Sequence, residues 1–335
     1  MGNGNRQVRL ACRPRGLPKV ADFKIVDSAV LQPGEGEFLV RGHFLSVDPY
    51  MRGLLRPKVH YLRAVEPGDL MFGEVVGEVI ESHHSGYVAG DYVAGHFGWQ
   101  EFAVSNGQGV RKVDPSLAPI STALGVLGMP GLTAYFGLTE VGRPRAGESV
   151  FVSGGAGAVG SVVGQLARIS GCRISASAGT DEKIAWLVEE LGFNNAFNYK
   201  TSKDYHADVQ RICPHGIDVY FDNVGGEITD AVMRLLNRHA RTVICGQIAH
   251  YNEDKPAPGP RPFPNLLAHE ARAEGFLVFS YSRRYNEALP RLADWVRRGE
   301  LRYRETVAEG IDQAPEAFIG LFQGNNIGKQ LVRLL

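Results

Sequence analysis

The stretch from residue 148 to residue 180, ESVFVSGGAGAVGSVVGQLARISGCRISASAGT, decides the fold of this chain. Residues 150–152 form an apolar run that predicts a buried strand, and glycines crowd the turn after it. Residues 173–178 supply a second strand. Between them, apolar residues recur at helical spacing: Val159, Val162, Val163, Leu166 and Ile169. A strand, a glycine turn, a helix and a second strand form the unit that binds a dinucleotide pyrophosphate, because the glycines let the backbone approach the phosphates.

The glycine turn supplies the first candidate ligand contacts. We expect a dinucleotide to lie against Gly154, Gly157, Ala158, Val159 and Gly160. A tight strand-to-helix turn that binds nothing is the alternative for a glycine pattern taken alone. The strand before the turn and the amphipathic helix after it favour the cofactor site.

The end of the second strand distinguishes the two nicotinamide dinucleotides. NAD sites place an acidic residue there, which holds the ribose 2′-hydroxyl. This strand ends with small side chains around Ser177 and Gly179, and the first carboxylate comes only at Asp181. Lys183, for which a solvated helix lysine is the alternative, lies one turn further on and offers positive charge to a 2′-phosphate. The sequence therefore predicts NADP(H).

Composition and charge exclude several classes of function. The 335 residues are 44% hydrophobic and 21% charged, as in globular proteins with an ample core, and the length favours two domains. Lysine plus arginine (36) equals aspartate plus glutamate (36), so nothing favours nucleic acid or an anionic membrane as a partner. No apolar run approaches the length of a membrane span. The 4 scattered cysteines, and an N-terminus without the apolar core of a signal peptide, predict a cytoplasmic protein.

Two kinds of pattern divide the chain. Residues 8–113 are rich in short β patterns, which predict a barrel-like β module, and the tail from residue 298 is expected to complete it. After the glycine turn, strand patterns alternate with helices, which predicts a parallel, doubly wound sheet with its ligand at the carboxyl ends of the strands. Residues 255–264, KPAPGPRPFP, predict an ordered loop. The predicted strands include residues 36–47, 87–95 (two strands about a Gly-Asp turn), 99–104, 196–199, 217–222, 242–245, 275–280, 303–307 and 330–333.

A set of short motifs carries a resemblance to a known family. They are VDPYMRG (47–53), LGVLGMPGLTAY (124–135), GAVGSVVGQ (157–165), DEK (181–183), FNYK (197–200), DVYFDNVGG (218–226), CG (245–246), YN (251–252) and GNNIG (324–328). With them the chain resembles the zinc-independent double-bond reductases of the medium-chain dehydrogenase/reductase superfamily: prostaglandin reductase/leukotriene hydroxydehydrogenase, plant alkenal reductases and bacterial curcumin reductases. The resemblance implies an α/β protein with a GroES-like catalytic domain, residues 1–122 completed by 298–335, and a Rossmann NADP(H)-binding domain, residues 123–297.

The resemblance also implies which side chains hold the cofactor. The residues of the family that bind the 2′-phosphate fall on Lys183 and Tyr199, although a strand-end aromatic is the alternative for Tyr199. Asn223 ends a strand where side chains meet a dinucleotide, and a turn-forming asparagine is its alternative. The remaining cofactor positions implied are Cys245, Gly246, Tyr251, Asn326 and, around the nicotinamide, Met129 (alternatively a core residue) and Thr133.

The zinc positions of the superfamily are changed in this sequence. Zinc-containing members carry a cysteine ligand after the first long strand, a Gly-His-Glu triplet and a lobe with four cysteines. Here the corresponding stretches read LSVD (45–48) and FGE (72–74), so that Gly73 replaces the histidine. Four further histidines have no cysteine or carboxylate at ligand spacing and are expected on the surface or in loops: His43, His83, His84 and His96. We predict no zinc.

The chemistry implied is hydride transfer to the β-carbon of an α,β-unsaturated ketone or aldehyde. Charge then collects on the carbonyl oxygen, and hydrogen-bond donors stabilise it. Tyr50 and Tyr251 are the predicted catalytic donors, and a half-buried aromatic with a satisfied hydroxyl is the alternative for each. Arg52 either orients a polar group of the substrate or forms a structural ion pair.

Substrate specificity is expected to come from the segment after residue 250. Animal prostaglandin reductases have a tyrosine where Phe279 stands here, and Tyr281 lies two residues later, on the same face if this segment is a strand. Phe263 is expected to shape the mouth of the pocket. The predicted substrate is a small hydrophobic enone or enal. A quinone reductase and a non-catalytic NADPH-binding protein are the alternatives, and the family resemblance implies a homodimer through edge strands.

Overall fold

The computed structural model describes residues 4–58, 62–255 and 258–334. The chain forms two compact units, one of Met1–Leu124, Glu305–Asn326 and Gln330–Leu335, the other of Gly125–Arg304 and Ile327–Lys329. The division predicted from sequence differs by two residues at the first boundary (122 against 124), by seven at the second (298 against 305), and at Ile327–Lys329. That short segment joins the second unit because Gly328 pairs with Gly157 in a parallel bridge.

The first segment of the chain consists mainly of short strands. Its elements are β1 (Gly4–Leu10), β2 (Phe23–Ala29), β3 (Phe38–Ser46), α1 (Met51–Leu54), β4 (Val75–Ser82), β5 (Tyr92–Gly95), β6 (Phe102–Ser105) and β7 (Arg111–Val113). The predicted pair of strands within residues 87–95 is wrong, because only β5 forms and residues 87–91 are a loop with a turn at Ala89 and Gly90.

The middle of the chain alternates helices and strands. Its elements are α2 (Met129–Phe136), β8 (Ser149–Val152), α3 (Gly160–Ile169), β9 (Arg173–Ala178), α4 (Asp181–Ala185), β10 (Asn195–Asn198), α5 (Tyr205–Ile212), β11 (Ile217–Asp222), α6 (Gly226–Val232), β12 (Leu236–Ile244), α7 (Phe263–Ala268), β13 (Arg272–Gly275) and α8 (Tyr285–Arg297). Helix α2 continues as a π-helical turn, Gly137–Gly142, and α4 as another, Trp186–Glu190.

The last elements return to the first unit. They are β14 (Glu305–Glu309), α9 (Ala314–Gln323) and β15 (Lys329–Arg333). With them the large sheet of this unit has seven strands in the order β14-β15-β3-β4-β5-β7, and β6 pairs with β3. The tail thus completes the β module, as predicted.

The second unit is built on a six-stranded sheet in the order β10-β9-β8-β11-β12-β13. Its described strand pairs are parallel. From β8 the chain continues to β9 and β10 on one side of the sheet, and from β11 it continues to β12 and β13 on the other side. The topological switch therefore lies between β8 and β11. Ligands of doubly wound sheets bind at the carboxyl ends of the strands at such a switch. The predicted fold class, an α/β protein with a β module and a doubly wound sheet, is confirmed.

Three predictions from the region after β12 need correction. Residues 275–280 do not form a strand: β13 ends at Gly275, and Val278–Arg284 is a 3₁₀ turn. Phe279 and Tyr281 therefore do not share the face of a strand. The proline-rich stretch 255–264 is not wholly a loop, because α7 starts at Phe263 with a proline in its first turn, where a missing N–H costs nothing. Residues 256 and 257 of that stretch lie outside the described residues.

Candidate active site

The glycine turn joins β8 to α3 with its backbone packed too closely for side chains. Gly154 has a φ of 63°, which L side chains rarely adopt. A β-carbon on Gly160 would collide with the carbonyl oxygen of Gly154, and one on Gly157 would lie 3.3 Å from the same oxygen. Val159 is the N-cap of α3, and no side chain caps this helix end. The turn therefore fits a phosphate group, which the helix N-terminus attracts.

Lys183 and Tyr199 both lie just past the end of β9: the Tyr199 N–H donates to the carbonyl of Ala178, and the Lys183 N–H donates to the Thr180 hydroxyl. The Lys183 side chain is only 7% exposed, and burial and the charge of Lys200 lower its pKa. A β-carbon on Gly179 would lie 2.9 Å from the hydroxyl oxygen of Tyr199, so the phenol lies directly against the glycine backbone. Burial raises the pKa of Tyr199, which keeps its hydroxyl a donor. We call Gly179, Lys183 and Tyr199 the phosphate pocket. A buried cation beside a phenol donor suits a 2′-phosphate dianion.

Ser177 contributes to this end of the sheet through its backbone. Its carbonyl accepts a hydrogen bond from the N–H of Gly155 at 2.9 Å, which holds the glycine turn against β9. Its hydroxyl is fully buried and has no hydrogen-bond partner within the described residues. The described contact of Ser177 with the glycine turn is thus made by its backbone.

The carboxyl ends of β11 and β12 form the opposite side of the site. The Asn223 side chain donates to the carbonyl of Ser153 at 2.8 Å. The N–H groups of Cys245 and Gly246 donate to the carbonyl of Asp222, at 2.9 and 3.0 Å. The Tyr251 hydroxyl accepts a hydrogen bond from the Gln247 N–H at 3.2 Å. We call this group, with Asp222, the ring-side cluster.

The remaining predicted cofactor positions are Met129 and Thr133 on α2 and Asn326 in the tail. The hydroxyl of Thr133 donates to the carbonyl of Met129 at 2.7 Å, and Met129 packs against the core of the second unit. Asn326 directly precedes Ile327–Lys329, in which the N–H of Gly328 donates to the carbonyl of Ala156 at 2.8 Å. Gly328 is thereby attached to the glycine turn.

In the first unit, Tyr50 and Arg52 flank the start of α1. Tyr50 is the N-cap of α1, is half-buried and packs against the core of this unit. The guanidinium of Arg52 is buried and donates to the carbonyl of Gly16 at 3.0 Å and to that of Pro14 at 3.4 Å. These contacts anchor the guanidinium on the backbone of the segment before β2.

The substrate-pocket residues predicted after α7 differ in their surroundings. The ring of Tyr281 stacks on Phe136, with 4.9 Å between centroids and 7° between planes, so its ring is part of the packing around α2. Phe263 and Phe279 are both exposed. Tyr281 cannot replace the missing tyrosine by sharing a strand face with Phe279, because both lie in the 3₁₀ turn.

The zinc site of the superfamily does not fit these residues. A β-carbon on Gly73 would lie 2.6 Å from the indole of Trp99, so the buried indole occupies the space that a histidine would need. Within residues 4–58, 62–255 and 258–334, no group of three or more His, Cys, Asp or Glu side chains is placed to hold a metal ion.

Sequence reasoning missed Asp222. The motif DVYFDNVGG was recognised, but only Asn223 was selected from it. The available signal was a carboxylate that ends an otherwise apolar strand, where water cannot reach it and several donors must satisfy it. Asp222 is only 1% exposed and lies at the switch between β8 and β11.

Comparison with known proteins assigns the chain to a family. Residues 6–113 match a model described as the N-terminal domain of oxidoreductase, and residues 158–294 match one described as zinc-binding dehydrogenase. A putative NADP-dependent oxidoreductase of Bacillus subtilis, YfmJ, is 47% identical over 100% of this chain and 99% of its own. The NADPH-dependent curcumin reductase of Escherichia coli is 40% identical over 98% and 97%.

A solved structure agrees with these relatives. The structure of CurA from Vibrio vulnificus in complex with NADPH superimposes with a TM-score of 0.94 and 39% identity, over 98% of this chain and 99% of that one. The described part of the chain has no helix long and apolar enough to cross a membrane. The protein uses NADP(H) as its cofactor, and it belongs to the zinc-independent enone reductases of the medium-chain dehydrogenase/reductase superfamily.

Proposed function

We propose that this protein reduces the carbon–carbon double bond of α,β-unsaturated ketones and aldehydes with NADPH. One enone, one NADPH and one proton give one saturated carbonyl compound and NADP⁺. The observation that carries the proposal is the phosphate pocket, Gly179, Lys183 and Tyr199, in a chain 40% identical to an NADPH-dependent curcumin reductase. A buried lysine with a lowered pKa, beside a phenol donor, favours NADPH over NADH.

The chain contributes hydrogen-bond donors to this reaction. When bound, NADPH supplies the hydride that the β-carbon accepts. Tyr50 and Tyr251 are proposed, each on its own evidence, to donate to the carbonyl oxygen or to pass a proton to the α-carbon. Tyr50 stands in the family motif at the start of α1, and the hydroxyl of Tyr251 lies at the ring-side cluster, 3.2 Å from the Gln247 nitrogen. A donor aimed at the developing oxyanion is worth about 3 kcal/mol of barrier.

A substrate panel tests this proposal. NADPH consumption would be followed with an enone, an enal, a quinone and a simple alcohol (the last with NADP⁺). We expect turnover of the enone and the enal, no turnover of the alcohol, and the same rates with and without a chelator. Turnover of quinones alone, or alcohol oxidation that a chelator stops, would overturn it. The Tyr50→Phe and Tyr251→Phe variants, assayed separately, assign the donor.

We also propose that two copies of the chain associate through β13. This strand ends the sheet order, and its four residues are exposed. Ile244, Leu277 and Phe279 add exposed apolar side chains beside it. An unpaired edge strand next to apolar surface is a template for pairing with another strand. A second copy offers the same edge, so that the two strands can pair about a two-fold axis.

Sedimentation tests this association. We expect a dimer for the wild type and a monomer for Leu277→Asp, because a carboxylate would be buried in the interface. Leu31→Asp changes an exposed leucine of the first unit and is the matched control. A monomeric wild type would refute the dimer without affecting the proposed activity.

The free thiols Cys12, Cys172, Cys213 and Cys245 support a cytoplasmic location.

A further inference from the structure

The carboxylate of Asp222 is the most heavily hydrogen-bonded side chain of the ring-side cluster. Six donors from four separate segments converge on it. Oδ1 accepts from Ser153 Oγ (3.0 Å), Tyr220 Oη (2.8 Å), Val224 N (2.9 Å) and Gly225 N (2.9 Å), and Oδ2 accepts from Thr229 Oγ1 (2.9 Å) and Gln247 Nε2 (2.8 Å). The carboxylate therefore fixes the end of β8, the start of α6 and the loop after β12 in one arrangement.

These donors satisfy the lone pairs of Asp222 but do not neutralise its charge. All six are hydroxyl, backbone or amide groups. Within the described residues, no Lys, Arg or His forms an ion pair with this carboxylate. A buried ion usually has a partner of opposite charge, because transferring it from water is costly. Asp222 is thus a fixed negative charge, 1% exposed, that lacks a protein counter-ion.

The position of Asp222 indicates which part of the cofactor is close to it. The phosphate pocket lies at β9 and β10 and marks the adenosine half, and the glycine turn after β8 takes the pyrophosphate. The other half then lies over β11 and β12, where Asp222 and Cys245 are. The N–H of Cys245 donates to the carbonyl of Asp222 at 2.9 Å, and burial and the charge of Asp222 raise the pKa of the Cys245 thiol to about 12. The nicotinamide ring is neutral in NADPH and cationic in NADP⁺.

We propose that Asp222 determines the preference between the two oxidation states of the cofactor, because its uncompensated charge stabilises bound NADP⁺ relative to bound NADPH. The inference rests on the use of NADP(H) at this site and deepens the proposed function. A site that favours the cationic ring also favours the direction of reaction in which the ring loses hydride. The same carboxylate positions Asn223 and Gln247, and the two roles are separable by experiment.

The variant Asp222→Asn removes the charge with little change in shape. Its amide oxygen can keep the four donors of Oδ1. Its NH₂ group can donate to the Thr229 hydroxyl, and to the side-chain oxygen of Gln247 once that amide has turned over. We expect the affinity for NADP⁺ to fall roughly tenfold while that for NADPH changes less than about twofold. Titration calorimetry with each cofactor measures both constants without any turnover.

Asp218→Asn is the matched control. Asp218 lies on the same strand, toward its opposite end, and its carboxylate also accepts neutral donors, the Ser149 N–H and the Asn237 amide, each at 2.8 Å. Removal of this charge changes the amino end of β11 and leaves the ring side unaltered. Both dissociation constants should remain at the wild-type value.

A second pair of variants decides the question if Asp222→Asn does not fold. Gln247 is half-buried and touches Oδ2, so a lysine there places a cation beside the intact carboxylate. Gln247→Lys should therefore lower the affinity for NADP⁺ more than that for NADPH. Gln247→Met removes the same amide without adding charge, and it should change both affinities alike.

The outcomes are distinct. Selective loss of NADP⁺ affinity in Asp222→Asn, or in Gln247→Lys but not Gln247→Met, supports the inference. An equal change in both affinities would show that Asp222 is only a structural tie and would overturn it, as would no change in either. A wild type that binds neither NADPH nor NADP⁺ would instead refute the cofactor assignment, and the inference with it.

Discussion

The phosphate pocket and the ring-side cluster, which we propose as two sides of one dinucleotide site, are built on opposite charges. The phosphate pocket has a buried cation, Lys183, whose pKa burial and Lys200 lower. The ring-side cluster has a buried anion, Asp222, surrounded by neutral donors. Each charge is costly without a ligand and becomes favourable when the matching part of the cofactor binds.

This difference separates two kinds of selectivity. The lysine is proposed to recognise the 2′-phosphate, which NADPH has and NADH lacks, and so to distinguish one cofactor from the other. The aspartate is expected to distinguish the two redox states of the same cofactor. Substitutions at the two sites should therefore have independent effects, because the sites lie on different strands and share no side-chain contact among the described hydrogen bonds.

The largest expected effect comes from the turn that both sides share. Gly160→Ala would drive a methyl group into the Gly154 carbonyl and force the backbone of the turn to shift. We expect the affinities for NADPH and NADH both to fall about 100-fold or more. Gly275→Ala is the control, because nothing lies within 4 Å of that β-carbon. Fluorescence titration checks this, and near-normal binding by Gly160→Ala would contradict the geometry of the turn.

The second effect should appear on the phosphate side alone. Lys183→Gln removes a charge-assisted contact worth about 2 kcal/mol, so NADPH affinity should drop roughly 30-fold while NADH affinity stays within about twofold. Lys203→Gln, an exposed lysine, serves as the control. Equal losses of NADH and NADPH affinity in Lys183→Gln would contradict a role for Lys183 in binding the 2′-phosphate.

The pH dependence of binding gives a third test of the same side. Burial and Lys200 lower the pKa of Lys183, whereas a bound phosphate dianion raises it again. At alkaline pH, above the lowered pKa, binding must take up a proton, so the affinity for NADPH falls as the pH rises. Titrations across the alkaline range should show this decline in the wild type and a flatter curve in Lys183→Gln. If NADPH affinity declined equally in the wild type and in Lys183→Gln, the decline would come from the titration of another group.

The smallest effect is expected from the phenol of the phosphate pocket. Tyr199→Phe removes one hydrogen bond to the phosphate and keeps the ring that packs on Gly179. We expect a loss of NADPH affinity of about fivefold and no loss for NADH. The ratio of the dissociation constants for NADPH and NADH measures this loss. An unchanged ratio would mean that the 2′-phosphate does not contact Tyr199.

The sequence predicts the elements around the phosphate pocket well because their signals are local. The strand at residues 173–178, the missing carboxylate and Lys183 one turn later lie close together in the chain, and the structure has β9 with those bounds and brings Lys183 and Tyr199 to its end. The turn and α3 follow from the same short stretch. The chemistry here depends on neighbours in sequence, which pattern reasoning can use.

The ring side could not be predicted as completely, because its contacts are distant in sequence. Asp222 receives donors from Ser153, about 70 residues earlier, and from Gln247, 25 residues later. The segment after β12 misled the prediction as well. Its pattern resembled a strand through residue 280, but the chain leaves the sheet at Gly275 and turns so that Tyr281 packs on Phe136. Tertiary packing overrode the local β preference there.

The most direct test of the account is the position of the transferred hydrogen. NADPH carrying deuterium as its transferable hydrogen would be incubated with an enone, and the product analysed by NMR. The account predicts one deuterium on the former β-carbon and an intact carbonyl group. Deuterium on the carbonyl carbon of an allylic alcohol would show carbonyl reduction instead, and it would contradict the assignment of this protein as a double-bond reductase.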